Sequence, residues 1–446
     1  MKKLICILII LTVLTSLAAC DNATVTESAH NIESSAPTQQ NDKEIESYDA
    51  FYDGTACFWL DEGNTLVVPN KGEMQYIGLD NQLIKTVTIP DDKLSEYYWP
   101  AFTDNRIFIY DMDLSVCNVD GEWIVANGSI WDSDGNLVRE FLDLEYRYED
   151  DSPVPLARYF LSDGRELELG EGVTNISGSI SPVWINDDLI ALNSGNRLFL
   201  YRISTDTVTL VDDMSEWMNK YGKMQVYYGI RQTVIPVGES CYYFAHKNEE
   251  ESNVSGAGTV WYADETGSKV LFDGQEFSRL IYENGMLLMI EWIDDDSSTQ
   301  TTRLFYATDR DLTLRELASW DGFYNVDHAS GGYFMIKEDN EPYRFYALNT
   351  ADATLSDFVP QIENCHQYNI LGIRQDNGSL QYMYSAFIDG EEDYYIYDAK
   401  TETNQKLDVK PNLFAGESFN DQMTHFTEHY SNYYFRTNTV RVREFP

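Results

Sequence analysis

From residue 51 onward, one arrangement of apolar and polar positions recurs along the chain. An aromatic-rich run is followed by a polar turn, and then by a run in which Val, Leu or Thr alternates with polar residues. Two such runs on either side of an Asp, Asn, Gly or Thr turn predict an antiparallel β-hairpin. Clear copies begin at Met74, Gly128, Arg197, Thr259, Arg303, Tyr343 and Asp393, and a shorter one begins at Tyr159.

A further apolar run precedes most of the hairpins, as at 105–110, 187–192, 284–290 and 332–336. Three or four short strands in every stretch of about 40–60 residues, with almost no helical periodicity, are typical of a β-propeller. The sequence therefore predicts an all-β protein, a β-propeller of about seven four-stranded blades. Eight blades, or tandem β-sandwiches, are the alternatives. The terminal segment from Tyr433 to Arg443 is expected to complete the first blade and close the ring.

The amino end has a different pattern. Lys2 and Lys3 precede an apolar run from Leu4 to Leu17, which is too short for a comfortable membrane span and predicts a secretory signal. The run ends in Leu17-Ala18-Ala19-Cys20, which resembles the lipobox of bacterial lipoproteins. That resemblance implies cleavage before Cys20, attachment of diacylglycerol to its sulfur, and a lipid anchor on the extracytoplasmic face of the cell membrane. The alternative is an ordinary signal peptide with a chance cysteine.

These patterns together predict the domain organisation. We expect a signal peptide at 1–19, the lipidated Cys20 with a flexible acidic linker at 20–49, and a single propeller domain at 50–446 with an irregular insertion near 146–176. The segment from Asp21 to Ser47 is rich in Ser, Thr, Asn and Gln and has no aromatic residue. Such a segment buries too little apolar surface to offset the entropy lost on ordering.

The net charge restricts the partners. The chain carries 74 acidic and 31 basic side chains, a formal charge of −43. This surface repels phosphate, which excludes nucleic acid and anionic lipid head groups as direct partners and favours a basic partner or cations. Contact with a membrane is expected only through the lipid on Cys20. The charge does not indicate disorder, because 43% of the residues are hydrophobic.

Four cysteines remain after Cys6 and Cys20 are assigned to the signal and the lipid. They are far apart and include no Cys-x-x-Cys pair, so they do not form a disulfide framework. Each lies in a strand-like context, where a buried thiol is expected, and one disulfide between two of them is left open. They are Cys57, Cys117, Cys241 and Cys365.

Two motifs have the spacing of metal sites. The segment from His425 to His429 matches His-x-x-Glu-His, which resembles inverted zinc peptidases, but the large helical domain of that family is lacking. We therefore expect a polar turn or short helix there. Asp132, Asp134 and Asn136 alternate like calcium ligands, but a hairpin turn explains every residue of that segment. The sequence thus predicts no metal and no cofactor.

Other polar and aromatic clusters are ambiguous. The acidic runs 249–251 and 294–296 are expected to be solvated hairpin tips. Tyrosine doublets such as Tyr242-Tyr243 predict strands with one ring inside and its neighbour outside, or alternatively an aromatic platform for a sugar or peptide. For a catalytic carboxylate–histidine pair, the histidines to consider are His246, His328 and His366.

The function that these observations favour is binding. We expect a lipid-anchored extracytoplasmic protein of the bacterial cell envelope that presents one face of the propeller to a protein, peptide or glycan. One alternative is an envelope carbohydrate-active enzyme, or another hydrolase or lyase, on the same scaffold. Another is a non-catalytic component of a secretion or signalling complex, which would expose a broad apolar patch.

Overall fold

Nearly every described segment of the chain is a β-strand, because aromatic and β-branched runs alternate with short polar turns. In the ranges given below there is no α-helix, and a single 3-10 turn lies at Asp91–Lys93. For some strand residues only the backbone is described. The computed structural model describes residues 50–52, 57–94, 98–142, 147–149, 152–154, 158–160, 166–168, 173–177, 180–194, 196–214, 229–246, 258–294, 300–338, 344–358, 365–376, 378–388, 391–407, 420, 424–432 and 437–444.

The first half of the chain forms four blades, each an antiparallel sheet whose strands lie in chain order. A short strand, β1 (Ala50–Tyr52), precedes them. Blade 1 contains β2 (Phe58–Leu60), β3 (Thr65–Asn70), β4 (Glu73–Gly78) and β5 (Leu83–Thr88); blade 2 contains β6 (Tyr98–Phe102), β7 (Arg106–Val119), β8 (Glu122–Asp132) and β9 (Leu137–Glu140). Then come the pairs β10 (Arg147–Glu149) with β11 (Ser152–Val154) and β12 (Arg158–Phe160) with β13 (Glu166–Glu168), and β14 (Val173–Ser177), a fifth strand of blade 2 beside β7. Blade 3 contains β15 (Ser181–Asn186), β16 (Leu189–Asn193), β17 (Arg197–Arg202) and β18 (Thr207–Asp213); blade 4 contains β19 (Gly229–Val237), β20 (Ser240–His246), β21 (Thr259–Asp264) and β22 (Gly267–Val270).

The second half forms three more blades of the same kind and an eighth of a different kind. Blade 5 contains β23 (Arg279–Glu283), β24 (Met286–Asp294), β25 (Gln300–Thr308) and β26 (Asp311–Asp321); blade 6 contains β27 (Tyr324–Ser330), β28 (Tyr333–Glu338), β29 (Phe345–Asn349) and β30 (Leu355–Phe358). Blade 7 contains β31 (Cys365–Asp376), β32 (Ser379–Ile388), β33 (Glu391–Asp398) and β34 (Thr403–Lys406). Blade 8 combines both ends of the propeller: β35 (His425–Asn432) pairs with β36 (Thr437–Glu444), which pairs with β1.

The core lies between blades rather than within them. Eight apolar clusters are present among the described residues, and each contains buried side chains from two neighbouring blades. Representative pairs, from blades 1–2 round to blades 8–1, are Met74 with Ile107, Phe108 with Phe199, Leu200 with Tyr243, Phe244 with Met289, Leu288 with Phe334, Met335 with Tyr384, Met383 with Phe426, and Val440 with Leu66. The last cluster joins the final blade to the first, so the ring is closed.

The predicted β-propeller is confirmed, and tandem sandwiches are not what the chain forms. Seven sheets hold four consecutive strands, as predicted, and in the described part of the chain the three-stranded sheet of the termini makes eight blades, the stated alternative. The terminal strand closes the ring, but the expectation that it completes the first blade is wrong. It pairs with β1, because blade 1 already has four strands from β2 to β5.

Tyr242 and Tyr243 show why adjacent aromatic residues are so frequent. Both rings are buried, one packing towards blade 5 and the other towards blade 3. The expectation that one ring of such a doublet faces outward is therefore wrong here, since a strand in the middle of a blade is covered on both faces. Their hydroxyls donate hydrogen bonds across the blade boundaries, to Asp309 at 3.0 Å and to Asp212 at 2.5 Å.

Aspartate is the usual residue of the turn between the third and fourth strands. Its carboxylate accepts a hydrogen bond from the backbone N–H two residues later, which holds the tight turn of the hairpin. Asp132 in blade 2 accepts from Asp134 at 3.0 Å, and Asp264 in blade 4 from Thr266 at 2.8 Å. The same bond occurs at Asp80, Asp311, Asp352 and Asp398.

A side chain of blade 1 supports the closure. The carboxamide of Asn81 both donates to the carbonyl oxygen of Val442 and accepts from its N–H, at 2.7 Å in each case. Val442 lies on β36 beyond the three residues that pair with β1, and it is buried. Asn81 therefore satisfies two buried backbone groups that a neighbouring strand would otherwise satisfy. Its φ of 61° suits asparagine and glycine.

Asn81→Gly is expected to weaken the closure without straining the turn. It should lower the free energy of unfolding by about 1–3 kcal/mol, because a buried N–H and C=O lose their partners. Urea denaturation measures the change. Asn284→Gly is the matched control, since Asn284 also has a positive φ and its amide makes a longer bond, 3.3 Å to Thr350. Equal losses in the two variants would contradict a special role for Asn81.

Candidate functional site

The two faces of the ring differ in their connections. Turns between the first and second strands all lie on one face, and many are hydrogen-bonded to the corresponding turn of the next blade. The N–H of Asp61 donates to Asp104 at 2.6 Å, the amide of Asn105 to Asp187 at 2.5 Å, and the N–H of Gly332 to Glu283 at 2.8 Å. The turns on this face, called the turn face below, are short and are held to one another by these hydrogen bonds. Longer connections between blades leave from the opposite face.

On that opposite face, blade 2 departs from the common pattern. Its second and third strands, β7 and β8, pair regularly up to Tyr110 and again from Ser115. Four residues of β7 lie opposite one residue of β8, Asn127, whose φ is 65°. This bulge projects the outer half of the β7–β8 hairpin beyond β6, and β14 pairs with that half instead. Bulges of this kind redirect side chains out of the regular pleat.

The bulge borders a cleft of ≈ 310 Å³. One wall is the connection after blade 1, with Asp92, Lys93 and Leu94, and the others are strands of blade 2. Its lining combines four carboxylates, one lysine, two phenol rings and a phenyl ring. In chain order the lining residues are Asp92, Lys93, Leu94, Tyr98, Ile109, Tyr110, Asp111, Asp113, Asn127, Gly128, Ser129, Glu140 and Phe141.

Negative charge predominates in the cleft. Lys93 forms an ion pair with Glu140 at 2.5 Å, and no other lysine or arginine is present among the described lining residues beside Asp92, Asp111 and Asp113. The pKa of Asp113 is raised, first by burial and then by the charge of Asp111. A positive charge placed between these two carboxylates would relieve that repulsion.

The base of the cleft is closely packed. A methyl group on Gly128 would lie 2.9 Å from the carbonyl oxygen of Ile109 and 2.9 Å from the ring of Phe108, so a side chain has no room there. Beside it, the hydroxyl of the buried Ser129 accepts a hydrogen bond from the indole of Trp131 at 2.8 Å. The phenol oxygen of Tyr98 accepts from the N–H of Gly72 at 2.9 Å. These contacts fix the walls in place.

The calcium-like segment is a hairpin turn, as expected. The carboxylate of Asp132 accepts hydrogen bonds from the backbone of Asp134 and Asn136 and from the amide of Asn136, at 2.8–3.0 Å. Burial tends to raise the pKa of Asp132, but the hydrogen bonds from Asn136 and Asp134 outweigh it and lower the pKa. The carboxylate oxygens of Asp132 therefore accept hydrogen bonds that hold the turn.

The segment from His425 to His429 is neither a turn nor a short helix, and that expectation is wrong. It lies in β35, where Phe426 and Thr427 are fully buried and Phe426 packs against blade 7. Residues four apart in a strand are separated by about 13 Å, too far to share one zinc ion. Burial lowers the pKa of His425, and its Nδ1 lies 3.0 Å from the hydroxyl of Thr424.

Several other candidates lie outside the described residues. The acidic run 249–251 does so entirely, and 294–296 does so apart from the backbone of Asp294 at the end of β24. The side chains of His246, His328 and His366 are also outside them, so a carboxylate–histidine pair stays a prediction. In the part that is described, no three His, Cys, Asp or Glu side chains are grouped as metal ligands.

The four cysteines are thiols in this structure. Cys57, Cys117 and Cys241 are buried and Cys365 is half-buried. Burial raises the pKa of Cys57 and of Cys241 to about 12, which makes both poor nucleophiles near neutral pH. Cys57 and Cys241 therefore act as small residues of the apolar core.

The sequence interpretation missed the cleft. Asp111 and Asp113 interrupt an otherwise apolar strand with Asp-Met-Asp, and this interruption was the available signal. Nothing in the local sequence indicated that the chain after blade 1 would lie against them. No helix in the described residues is long and apolar enough to cross a membrane.

No protein-family model and no curated protein sequence matches the chain. Solved structures with a similar fold include dipeptidyl peptidase 4 of Porphyromonas gingivalis, with a TM-score of 0.49, 12% identity, and coverage of 89% of this chain and 59% of that one. The Dos1 propeller is similar with a TM-score of 0.46, 10% identity, and coverage of 88% and 93%. The β-propeller domain of the trilobed protease of Pyrococcus furiosus is similar with a TM-score of 0.37 and 10% identity, and the match covers 71% of this chain and 86% of that one. At these identities the likeness concerns the scaffold alone, and this chain spans 59% of the length of the peptidase.

Asp113→Asn is expected to stabilise the protein at neutral pH. Because the folded-state pKa of Asp113 is raised, the native state holds its proton more readily than the unfolded state, so stability falls as the pH rises through that pKa. Removing the charge should add about 0.5 kcal/mol at pH 7, since the group is partly solvated. The gain should vanish below about pH 3, where the wild-type carboxyl is protonated. Urea denaturation at both pH values measures it. A loss of stability at pH 7, or a gain that is also given by Glu122→Gln on the same hairpin, would contradict the repulsion between Asp111 and Asp113.

Proposed function

We propose that this protein is a lipid-anchored, extracytoplasmic binding protein of the bacterial cell envelope, and that the cleft beside the bulge of blade 2 binds a basic segment of a protein or peptide. The observation that carries the proposal is the lining of that cleft. Among its described residues, four carboxylates stand with a single lysine, which pairs with Glu140, beside three aromatic rings. A lysine or arginine side chain has both a cationic end and an apolar stem.

The shape of the lining supports a peptide rather than a free metal ion. Tyr98, Tyr110 and Phe141 provide apolar surface over which the methylene groups of a long basic side chain can pack. A cation within about 6 Å of an aromatic face is also attracted by the ring. Asn127 and Ser129 add amide and hydroxyl groups that suit the backbone of a bound peptide.

The scaffold supports binding without large movement. The hydrogen bonds between turns on the turn face and the closure of the ring hold blade 2 between its neighbours. The cleft is therefore formed before a ligand binds. A preformed site loses less conformational entropy on binding. The overall charge of −43 favours basic partners over acidic ones at longer range, and more strongly at low salt.

The cleft is tested with trilysine as the probe. We expect saturable binding by isothermal titration calorimetry that weakens as salt is added. Asp111→Asn combined with Asp113→Asn should weaken it about five- to tenfold, because each exposed ion pair contributes about 0.2–1 kcal/mol. Asp120→Asn combined with Glu122→Gln, at the exposed tip of the same hairpin, removes the same charge outside the cleft and should change it less than about twofold. Equal losses in the two double variants would refute the cleft as the binding site.

The anchor is tested separately. Cys20→Ala should move the protein from the membrane fraction to the soluble fraction, since a thioether to diacylglycerol cannot form without the thiol. Fractionation and detergent phase separation measure this. Cys6→Ala is the matched control and should leave the protein in the membrane fraction. Unchanged membrane retention of the Cys20 variant would rule out lipid anchoring through that residue.

A further inference from the structure

The cleft of blade 2 already holds one cation, the ammonium group of Lys93. This lysine ends the 3-10 turn Asp91–Lys93 in the connection after blade 1, and its Nζ donates a hydrogen bond to Oε1 of Glu140 at 2.5 Å. Glu140 ends β9, the outermost strand of blade 2, and both side chains line the cleft. A lysine from one blade connection is thus bound by a carboxylate of the next blade.

Glu140 and Asp111 lie on the same face of blade 2. Asp111 pairs with Tyr98, and Glu140 pairs with Ser129, which pairs with Ile109. Tyr98 and Ile109 both pack into the cluster shared with blade 1, and paired residues share a face of the sheet. Two strand spacings across the sheet and two residues along β7 separate the α-carbons of Glu140 and Asp111 by about 12 Å.

This separation suits a segment with basic residues at alternate positions. Two lysines that are two residues apart on an extended peptide point to the same side, with α-carbons about 7 Å apart. Their long side chains can therefore reach both Asp111 and Glu140.

The backbone of Lys93 is held in place, whereas its ammonium end is partly exposed to solvent. The N–H of Lys93 donates to the carbonyl oxygen of Pro90 at 2.9 Å, and the adjacent Leu94 packs into the cluster between blades 1 and 2. The side chains of Lys93 and Glu140 are 30% and 51% exposed. An exposed ion pair of this kind is weak, so a competing cation can replace Lys93 at Glu140 at little cost.

We propose that Glu140 is a second cation subsite of the cleft, that Lys93 is a built-in competitor for it, and that the partner segment has two basic residues at alternate positions. One of these residues binds at Asp111 and Asp113, and the other displaces Lys93 from Glu140. Because the displaced ammonium gives up its own ion pair, Lys93 lowers the affinity of the cleft for such a segment. This inference rests on the proposed function of the cleft and specifies its ligand.

The probes are two acetylated and amidated peptides, Lys-Ala-Lys and Lys-Ala-Ala, and binding to the full chain is measured by isothermal titration calorimetry at low salt. Lys93→Met should tighten the binding of Lys-Ala-Lys about three- to fivefold, because Glu140 becomes available to the second lysine. The binding of Lys-Ala-Ala should tighten less than about 1.5-fold, because its single lysine binds at Asp111 and Asp113.

Lys85→Met is the matched control. Lys85 also reaches from blade 1 to a carboxylate of blade 2, with its Nζ 3.9 Å from Asp134, and its side chain is 35% exposed. It is not among the described residues that line the cleft, so its removal should change the binding of Lys-Ala-Lys less than about 1.5-fold. In a Glu140→Gln background, Lys93→Met should lose its effect, because the second subsite is gone. Thermal melting checks that the variants fold alike.

The outcomes separate this inference from the proposed function. No tightening by Lys93→Met would overturn the inference, and so would equal tightening by Lys85→Met, which would show only the loss of one positive charge. Equal tightening for both peptides, or tightening that persists in the Glu140→Gln background, would overturn the second subsite. Suppose that the Asp111→Asn, Asp113→Asn double variant weakens binding while Lys93→Met has no effect. The cleft then binds a basic segment, and the inference about Lys93 alone fails. If neither peptide binds the wild-type protein or its variants, both proposals fail.

Discussion

The burial of both faces of every blade is the constraint on which the rest of the structure depends. A four-stranded sheet alone would leave two apolar faces in water, and each face is covered only by the next blade. Phe108 and Ile107, adjacent in β7, therefore pack into different clusters, one with blade 3 and one with blade 1. Because the covering must continue around the ring, closure is required of the last blade. The end of the chain provides it through Val440 and Val442, and the carboxamide of Asn81 in blade 1 bonds to Val442.

Local sequence predicts the hairpins well because their turns are local. In the copy that begins at Gly128, the alternation of apolar residues and the Asp132 turn together determine where β8 ends and β9 begins. The count of blades is harder to predict, since blade 8 is built from residues that are far apart in sequence. Ala50 pairs with Val440, and no short-range pattern in Ala50-Phe51-Tyr52 indicates that partner. The hairpin count gives seven because the closing blade, as far as the described residues go, is a three-stranded sheet drawn from both ends.

The cleft was unpredictable for a related reason. It depends on a bulge at Tyr110–Ser115, on the absence of a side chain at Gly128, and on the position of the chain between blades 1 and 2. The bulge and the position of that chain are non-local properties, and the bulge opposes the regular pleat that the alternation favours. Asp111 and Asp113 are visible in the sequence only as an interruption. Their proximity to Asp92 and Glu140 is a consequence of the ring.

The directions of the pKa shifts divide the many carboxylates by role. In the turns between third and fourth strands, hydrogen bonds from Thr266 lower the pKa of Asp264, and those from Ser379 and Thr401 lower the pKa of Asp398. These charges are already satisfied by hydrogen bonds, and these aspartates maintain the hairpin turns. Asp113 has a raised pKa because burial and Asp111 oppose its charge. Negative charge that the fold disfavours is the charge that a cationic ligand can stabilise, and for this reason we propose the cleft, rather than the acidic turns, as the site of a basic partner.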